Sequence, residues 1–232
     1  QVYARLRKLF VKVFQAEENT SVHILLDTSK SMSFGSPSKL LYSKKIAAAL
    51  GYIASKGMDR VGIAGFSNTL GPSLRPSRHR NRFFQLVDFL AGIKGKGETD
   101  FNTSIHQYCK RYPQPGLAII LSDLLDPAGY NNALLHLLYY RYDVILIQIL
   151  EENEVIPPPP GYYRFYDAEN GRNQVFAFDE DMQNIYRSES RAFLTGIEDF
   201  CMQHGVEYIR ASTSVPFENL ILRYLRRGRY LL

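Results

Sequence analysis

Residues 21–33 read SVHILLDTSKSMS. Val22, Ile24, Leu25 and Leu26 make a short apolar run, the composition of a strand buried on both faces. The run stops at Asp27-Thr28-Ser29-Lys30-Ser31, which sets a carboxylate and two hydroxyls at alternate positions. In an open parallel sheet, ligands bind in the crevice outside the carboxyl ends of the strands. Hard oxygen donors placed there suit Mg²⁺ far better than zinc.

Outward from this stretch the chain alternates strand and helix. Ser38 is placed to cap a helix from Lys39 to about Ser55, with Leu40, Ile46, Ala47, Leu50 and Ile53 turned to a sheet and Gly57 at its stop. The strand DRVGIAGFS follows over 59–67, then a polar, Pro-containing loop and a helix near Asn81–Ile93. Gly92, Gly95 and Gly97 make a flexible loop ending in Glu98-Thr99-Asp100, and either Asp100 or Thr103 caps the next helix, to Arg111. The strand LAIILSD ends at Asp123; Ala128–Tyr142 reads as helix and DVILIQIL as another buried strand. This order predicts an α/β fold with a doubly wound, mostly parallel sheet flanked by helices.

Additions are expected at both ends. KLFVKVF, residues 8–14, reads as an extra N-terminal strand. Pro157–Pro160 breaks the chain, and two aromatic-rich runs around Glu169-Asn170-Gly171 predict a β-hairpin. Helix from Met182 to His204, a strand at VEYIRAST and a last helix near Pro216 then follow. The predicted organisation is a strand and linker over 1–20, a metal-bearing core over 21–156, a Pro-rich break and hairpin over 157–181, and a closing helix-strand-helix over 182–232.

The 232 residues are 45% apolar, enough for a real core, and no segment nears the ~18 consecutive apolar residues of a membrane span. The chain starts with Gln1, so an upstream portion is expected. Cys109 and Cys201 lack zinc-ligand spacing and point to a reducing compartment. The formal charge is +5. Arg75, Arg78, His79, Arg80 and Arg82 form one basic cluster, and Arg223, Arg226, Arg227 and Arg229 another. Neither comes with an aromatic-basic signature, so a solvated helix start and a basic tail are predicted and nucleic acid is not expected.

Asp27, Ser29 and Ser31, followed by Thr99 and then Asp123 at a second strand end, resemble the metal-ion-dependent adhesion site of von Willebrand factor A domains. Singly, these residues would cap turns and helices; the combination, in this order and at strand ends, carries the resemblance. It implies that the two serines and the threonine bind the ion directly or nearly so, while Asp27 and Asp123 act through water. Mg²⁺ is the expected ion, with Mn²⁺ or Ca²⁺ as alternatives. One coordination position then stays open to an acidic side chain of a partner. Asp100 and Asp126 read as a cap and a turn residue.

Enzymatic readings find less support. An aspartyl nucleophile of the haloacid dehalogenase type normally sits in Asp-x-Asp, and Ser29 replaces the second carboxylate. No Gly-x-Ser-x-Gly elbow, HExxH spacing or phosphate-binding loop occurs. His23 reads as structural and His106 as a surface helix residue. The alternative kept open is a metal-dependent hydrolase or phosphotransferase using Asp27.

AEENTSVHILLDTSKSM, DRVGIAGFS, GKGETDFNTSI, AIILSDLLDP and VILIQIL resemble successive core segments of the domain-of-unknown-function 58 family, von Willebrand A-like proteins of bacteria and archaea. DAENGRNQVFAFD and the closing region resemble its tail, with Asn170 where the family often has Thr. The resemblance implies a non-enzymatic adaptor or co-chaperone, whose partner is a MoxR-type AAA+ ATPase or its client. It also implies a cytoplasmic chain, membrane-associated through an upstream segment. Oligomeric state is not legible in the sequence.

Overall fold

The structure, a computed structural model, describes residues 20–79, 81–166 and 173–226. Strand β1 (Ser21–Asp27) lies in the middle of a six-stranded sheet, between β2 (Arg60–Phe66) and β4 (Leu117–Ser122). The full order is β3-β2-β1-β4-β5-β8, with β3 spanning Leu70–Ser77, β5 Asp143–Leu150 and β8 Glu207–Ser212. Every pairing is parallel except β2 with β3. The doubly wound, mostly parallel α/β class expected from the sequence is the class the structure has.

Alternation along the central strands explains why helices cover both faces. Val22, Ile24 and Leu26 of β1, with Leu117, Ile119 and Leu121 of β4, join one core layer; Leu25, Ala118 and Ile120 join the other. Helices α1 (Lys39–Lys56), α2 (Arg82–Gly92) and α6 (Phe217–Arg226) pack on the first layer through residues such as Ile46, Leu50, Leu86 and Ile221. On the second lie α3 (Phe101–Arg111), α4 (Asn131–Tyr139) and α5 (Glu180–His204), through Ile105, Leu134, Leu137 and Ile197. Each fully buried Ile or Leu contributes roughly 1.5–3 kcal/mol relative to exposure, so the two layers supply the main driving force.

Local signals set the helix ends. Ser38 Oγ accepts the Leu41 amide at 3.2 Å and Gly57 closes α1. Asp100 rather than Thr103 caps α3, its Oδ1 accepting the Thr103 amide at 2.8 Å. Gly205, at φ 69°, ends α5 in the left-handed conformation that a Cβ disfavours.

Three expectations are corrected. The Pro-containing loop after β2 is the edge strand β3: Pro72 and Pro76 donate no hydrogen bond, which an edge tolerates because only one side is paired. Arg82 is not a solvated helix start. It is 5% exposed, its Nε donates to the Val61 carbonyl at 2.7 Å, and its guanidinium also donates to the Arg75 carbonyl. Helix α4 is shorter than Ala128–Tyr142, because Asp126 Oδ1 holds the Ala128 amide at 2.8 Å in a turn and Arg141 takes a positive φ of 61°.

Strands β6 (Gly161–Tyr166) and β7 (Asn173–Phe178) form the expected antiparallel hairpin as a separate sheet. Its turn, the predicted strand over 8–14, Arg80 and residues 227–232 lie outside the described residues.

Candidate metal centre

The strand order places β1 at the point where the chain changes direction across the sheet: β2 follows on one side, β4 on the other. The crevice at the carboxyl ends of β1 and β4 is thus the expected ligand position for this topology. Asp27 ends β1; Ser122 ends β4 and Asp123 follows it directly. The two strand ends are joined directly, since Ser122 Oγ donates to Asp27 Oδ2 at 2.6 Å. The other Asp27 oxygen accepts the Ser29 amide at 2.9 Å, a turn that swings Ser29 and Ser31 back over the strand end. Their hydroxyl oxygens stand 3.0 Å apart.

Backbone bonds deliver the Thr99 loop to the same place. The Lys96 amide donates to the Thr28 carbonyl at 2.8 Å, and the Lys30 amide to the Gly97 carbonyl at 3.0 Å. The Asp100 amide closes the loop on the Ser67 carbonyl at 3.0 Å. Gly95 eases this approach: a Cβ there would stand 3.3 Å from the Ser29 carbonyl oxygen, and 2.1 Å from Ser33 Oγ unless that exposed hydroxyl rotated away. Asp126, read from the sequence as a turn residue, does more. Its Oδ2 accepts the Phe101 amide at 2.7 Å and so ties the start of α3 to the loop after β4. The structure therefore brings the loops of Asp27, Ser29 and Ser31, of Thr99, and of Asp123 together at one end of the sheet.

Burial grades the set. Asp27, Ser29 and Asp123 are fully buried, Thr99 nearly so, and Ser31 is half-buried at the rim. Burial, with the Asp123 carboxylate close by, pushes the Asp27 carboxyl up to about 7, against the hydrogen bonds from Ser122 and Ser29. A cation in the crevice would relieve this directly. Among the described residues no three His, Cys, Asp or Glu side chains converge as a metal cluster, so a cation here has to draw on hydroxyl oxygens.

Sequence reasoning missed three residues. Ser122, the last residue of an apolar strand, carries the bond that joins the strand ends. Lys39, the first residue of α1, is fully buried, with Nζ 2.7 Å from Asp123 Oδ2 and a second ion pair to Glu154. Burial alone would lower its pKa, but the facing Asp123 and Glu154 carboxylates outweigh it and raise the value. Glu154 comes from the short 3-10 turn Glu152–Glu154 after β5. Nothing in the local sequence marks a lysine behind a helix cap or a glutamate in an acidic run for such a pairing, which only the folded chain shows.

The histidines take no part in this centre. His23 is buried in β1, its Nδ1 2.9 Å from the Tyr108 hydroxyl, and burial lowers its pKa to about 4. His106 is exposed on α3 and pairs with His136 of α4 at 3.0 Å. Asp27 is poorly presented as a nucleophile, because both its oxygens accept internal hydrogen bonds and it is 0% exposed.

Known proteins share this architecture. BatB of Bacteroides thetaiotaomicron superposes with a TM-score of 0.56 at 19% identity, covering 90% of this chain and 98% of its own. An aerotolerance-related membrane protein from Bacteroides fragilis gives 0.56 at 20% identity, with 90% and 99% covered. An uncharacterized protein of Mycobacterium avium is 23% identical over 138 residues, 60% of this chain and 79% of that one. The structural likenesses, at these identities, establish the fold. The family described as "Protein of unknown function DUF58" matches residues 1–193, most of the sequence, and the chain belongs to that family.

Proposed function

We propose that the chain is a divalent-cation-dependent protein-binding module, with Mg²⁺ as the working ion held by Ser29, Ser31 and Thr99 above the carboxylates of Asp27 and Asp123. The observation that carries this reading is the pair of Ser29 and Ser31 hydroxyl oxygens 3.0 Å apart at the rim of the crevice. Adjacent ligands at right angles on an octahedral Mg²⁺, at ~2.1 Å each, are themselves roughly 3.0 Å apart. The donor set is hard oxygen throughout, and Mn²⁺ or Ca²⁺ would fit it as well.

Neutral hydroxyls leave such an ion with unbalanced positive charge. A partner carboxylate is the group that completes it, by charge and by ligand type. The resemblance to MoxR-associated proteins makes a MoxR-type AAA+ ATPase, or a client it acts on, the partner we infer, with this chain as adaptor or co-chaperone. One structural relative is described as a membrane protein. Among the described residues here no helix is long and apolar enough to cross a membrane. We place the module on the cytoplasmic side, attached through an upstream segment. The hydrolase reading is weaker because Asp27 is fully buried.

The test is capture of a purified MoxR-type ATPase on the immobilised chain, in Mg²⁺ and in EDTA, against Asp27→Ala. Capture in Mg²⁺ by the unmodified chain only is expected. Metal-dependent turnover of phosphate esters, lost in the same variant, would replace the adaptor reading with the enzymatic one.

A further inference from the structure

Lys39 is 0% exposed, and the two carboxylates paired with it favour its ammonium form. Its ammonium stands 2.7 Å from Asp123 Oδ2 and is ion-paired on its other side with Glu154. Both anions are fixed independently of it. Asp123 Oδ1 accepts the Leu125 amide at 3.1 Å, and Glu154 Oε2 accepts the Glu151 amide at 2.9 Å. The Glu154 carbonyl in turn accepts the Tyr186 hydroxyl at 3.0 Å, which pins this segment against α5. A buried ammonium without anions is strongly unfavourable, and so is the buried Asp123 carboxylate without a cation, while Glu154 is only partly buried. The three groups therefore form one neutralisation unit, and one member, Asp123, also belongs to the candidate metal centre.

We propose that Lys39 is a tethered counter-cation of that centre: it satisfies Asp123 and Glu154 in the absence of metal and weakens divalent-cation binding through like-charge repulsion. This rests on the cation-binding reading above. An ammonium and a divalent ion that share one buried carboxylate lie well within the ~8 Å screening length of physiological salt, in a setting where screening is weak. Two consequences follow. The chain folds without its ion, and the ion stays exchangeable until a partner carboxylate adds the missing negative charge, so metal and partner bind cooperatively.

Calorimetric titration of Mn²⁺ into the metal-stripped chain, Lys39→Met, Glu154→Gln and Ser29→Ala tests this, with thermal melts in EDTA and in Mn²⁺ alongside. Lys39→Met should bind Mn²⁺ at least ~10-fold more tightly than the unmodified chain, melt lower in EDTA and recover with metal. Glu154→Gln, which leaves the ammonium with one anion fewer, should bind several-fold more weakly. Equal or weaker binding by Lys39→Met overturns the proposal. If that variant folds only with metal, the dependence itself supports it; if it does not fold at all, Glu154→Gln decides, and unchanged or tighter binding there overturns it. Binding that Ser29→Ala abolishes but Lys39→Met leaves unchanged removes this inference alone. Binding indifferent to Ser29→Ala, or none in any protein, removes the metal centre along with it.

Discussion

At the residue scale the candidate centre is a problem of charge. Asp27 is neutral more readily than a free carboxylate because it is buried beside Asp123, and its pKa is held at about 7. A folded-state pKa above the unfolded value gives stability that is present below pH 3.8 and lost as pH rises through about 7. Asparagine mimics the neutral form: its carbonyl can accept the Ser29 amide while its amide donates to Ser122 Oγ. Asp27→Asn should therefore be more stable than the unmodified chain in EDTA at pH 8, by on the order of 1 kcal/mol or more, and melt higher, yet show no stabilisation by Mg²⁺. A lower melting temperature in EDTA would refute the electrostatic reading of Asp27. His23 runs the other way. Its pKa falls from 6.5 to about 4 on burial, so its contribution is full above pH 6.5 and is lost as pH falls toward 4. That contribution is on the order of 3 kcal/mol. Acid unfolding of His23→Phe should be flatter between pH 6.5 and 4, and an acid limb unchanged in denaturant titrations would contradict it.

At the element scale, the Gly-rich loop between α2 and α3 is what makes separate strand ends into one site. Gly95→Ala places a methyl 2.1 Å from Ser33 Oγ, which has to rotate away, and 3.3 Å from the Ser29 carbonyl oxygen, which presses the loop against the serine loop. A loss of about 1–3 kcal/mol in stability is expected, with weaker Mg²⁺ stabilisation because Thr99 moves too. Full retention of both would show that the loop contact is dispensable. This is also where legibility in the sequence divides. Strands β1, β4 and β5 announce themselves as apolar runs because both their faces are covered, and Ser38, Gly57, Asp100 and Gly205 mark helix ends by local chemistry. Edge strand β3 does not, since Pro72, Arg75 and Pro76 suit a half-paired, half-exposed strand and a loop equally. That the loops of Asp27, Ser29 and Ser31, of Thr99, and of Asp123 meet at one end of the sheet could be expected from order and strand-end context. Lys39, Ser122 and Glu154 could not: their roles arise from pairings across 84 to 115 residues of sequence that no local pattern records.

At the scale of the whole molecule, the sheet order explains why the candidate residues meet where they do. β1 and β4 are neighbours whose following chain segments leave in opposite directions, which opens the crevice, and helices cover both faces of the strands that end there. An ion bound only by this folded arrangement stabilises it by mass action, by about 2.7 kcal/mol at 100 times its dissociation constant. Millimolar Mg²⁺ should thus raise the melting temperature of the intact chain, and Ser29→Ala should cancel the rise; an identical rise in both would place the ion elsewhere.

The most direct measurement is anomalous scattering from crystals of the chain grown with Mn²⁺. A manganese peak in contact with Ser29 Oγ and Ser31 Oγ, between the Thr99 loop and the Asp27 and Asp123 carboxylates, is the expected result. Saturating Mn²⁺ that leaves this crevice without a peak, or a peak found only at another position, would contradict the assignment.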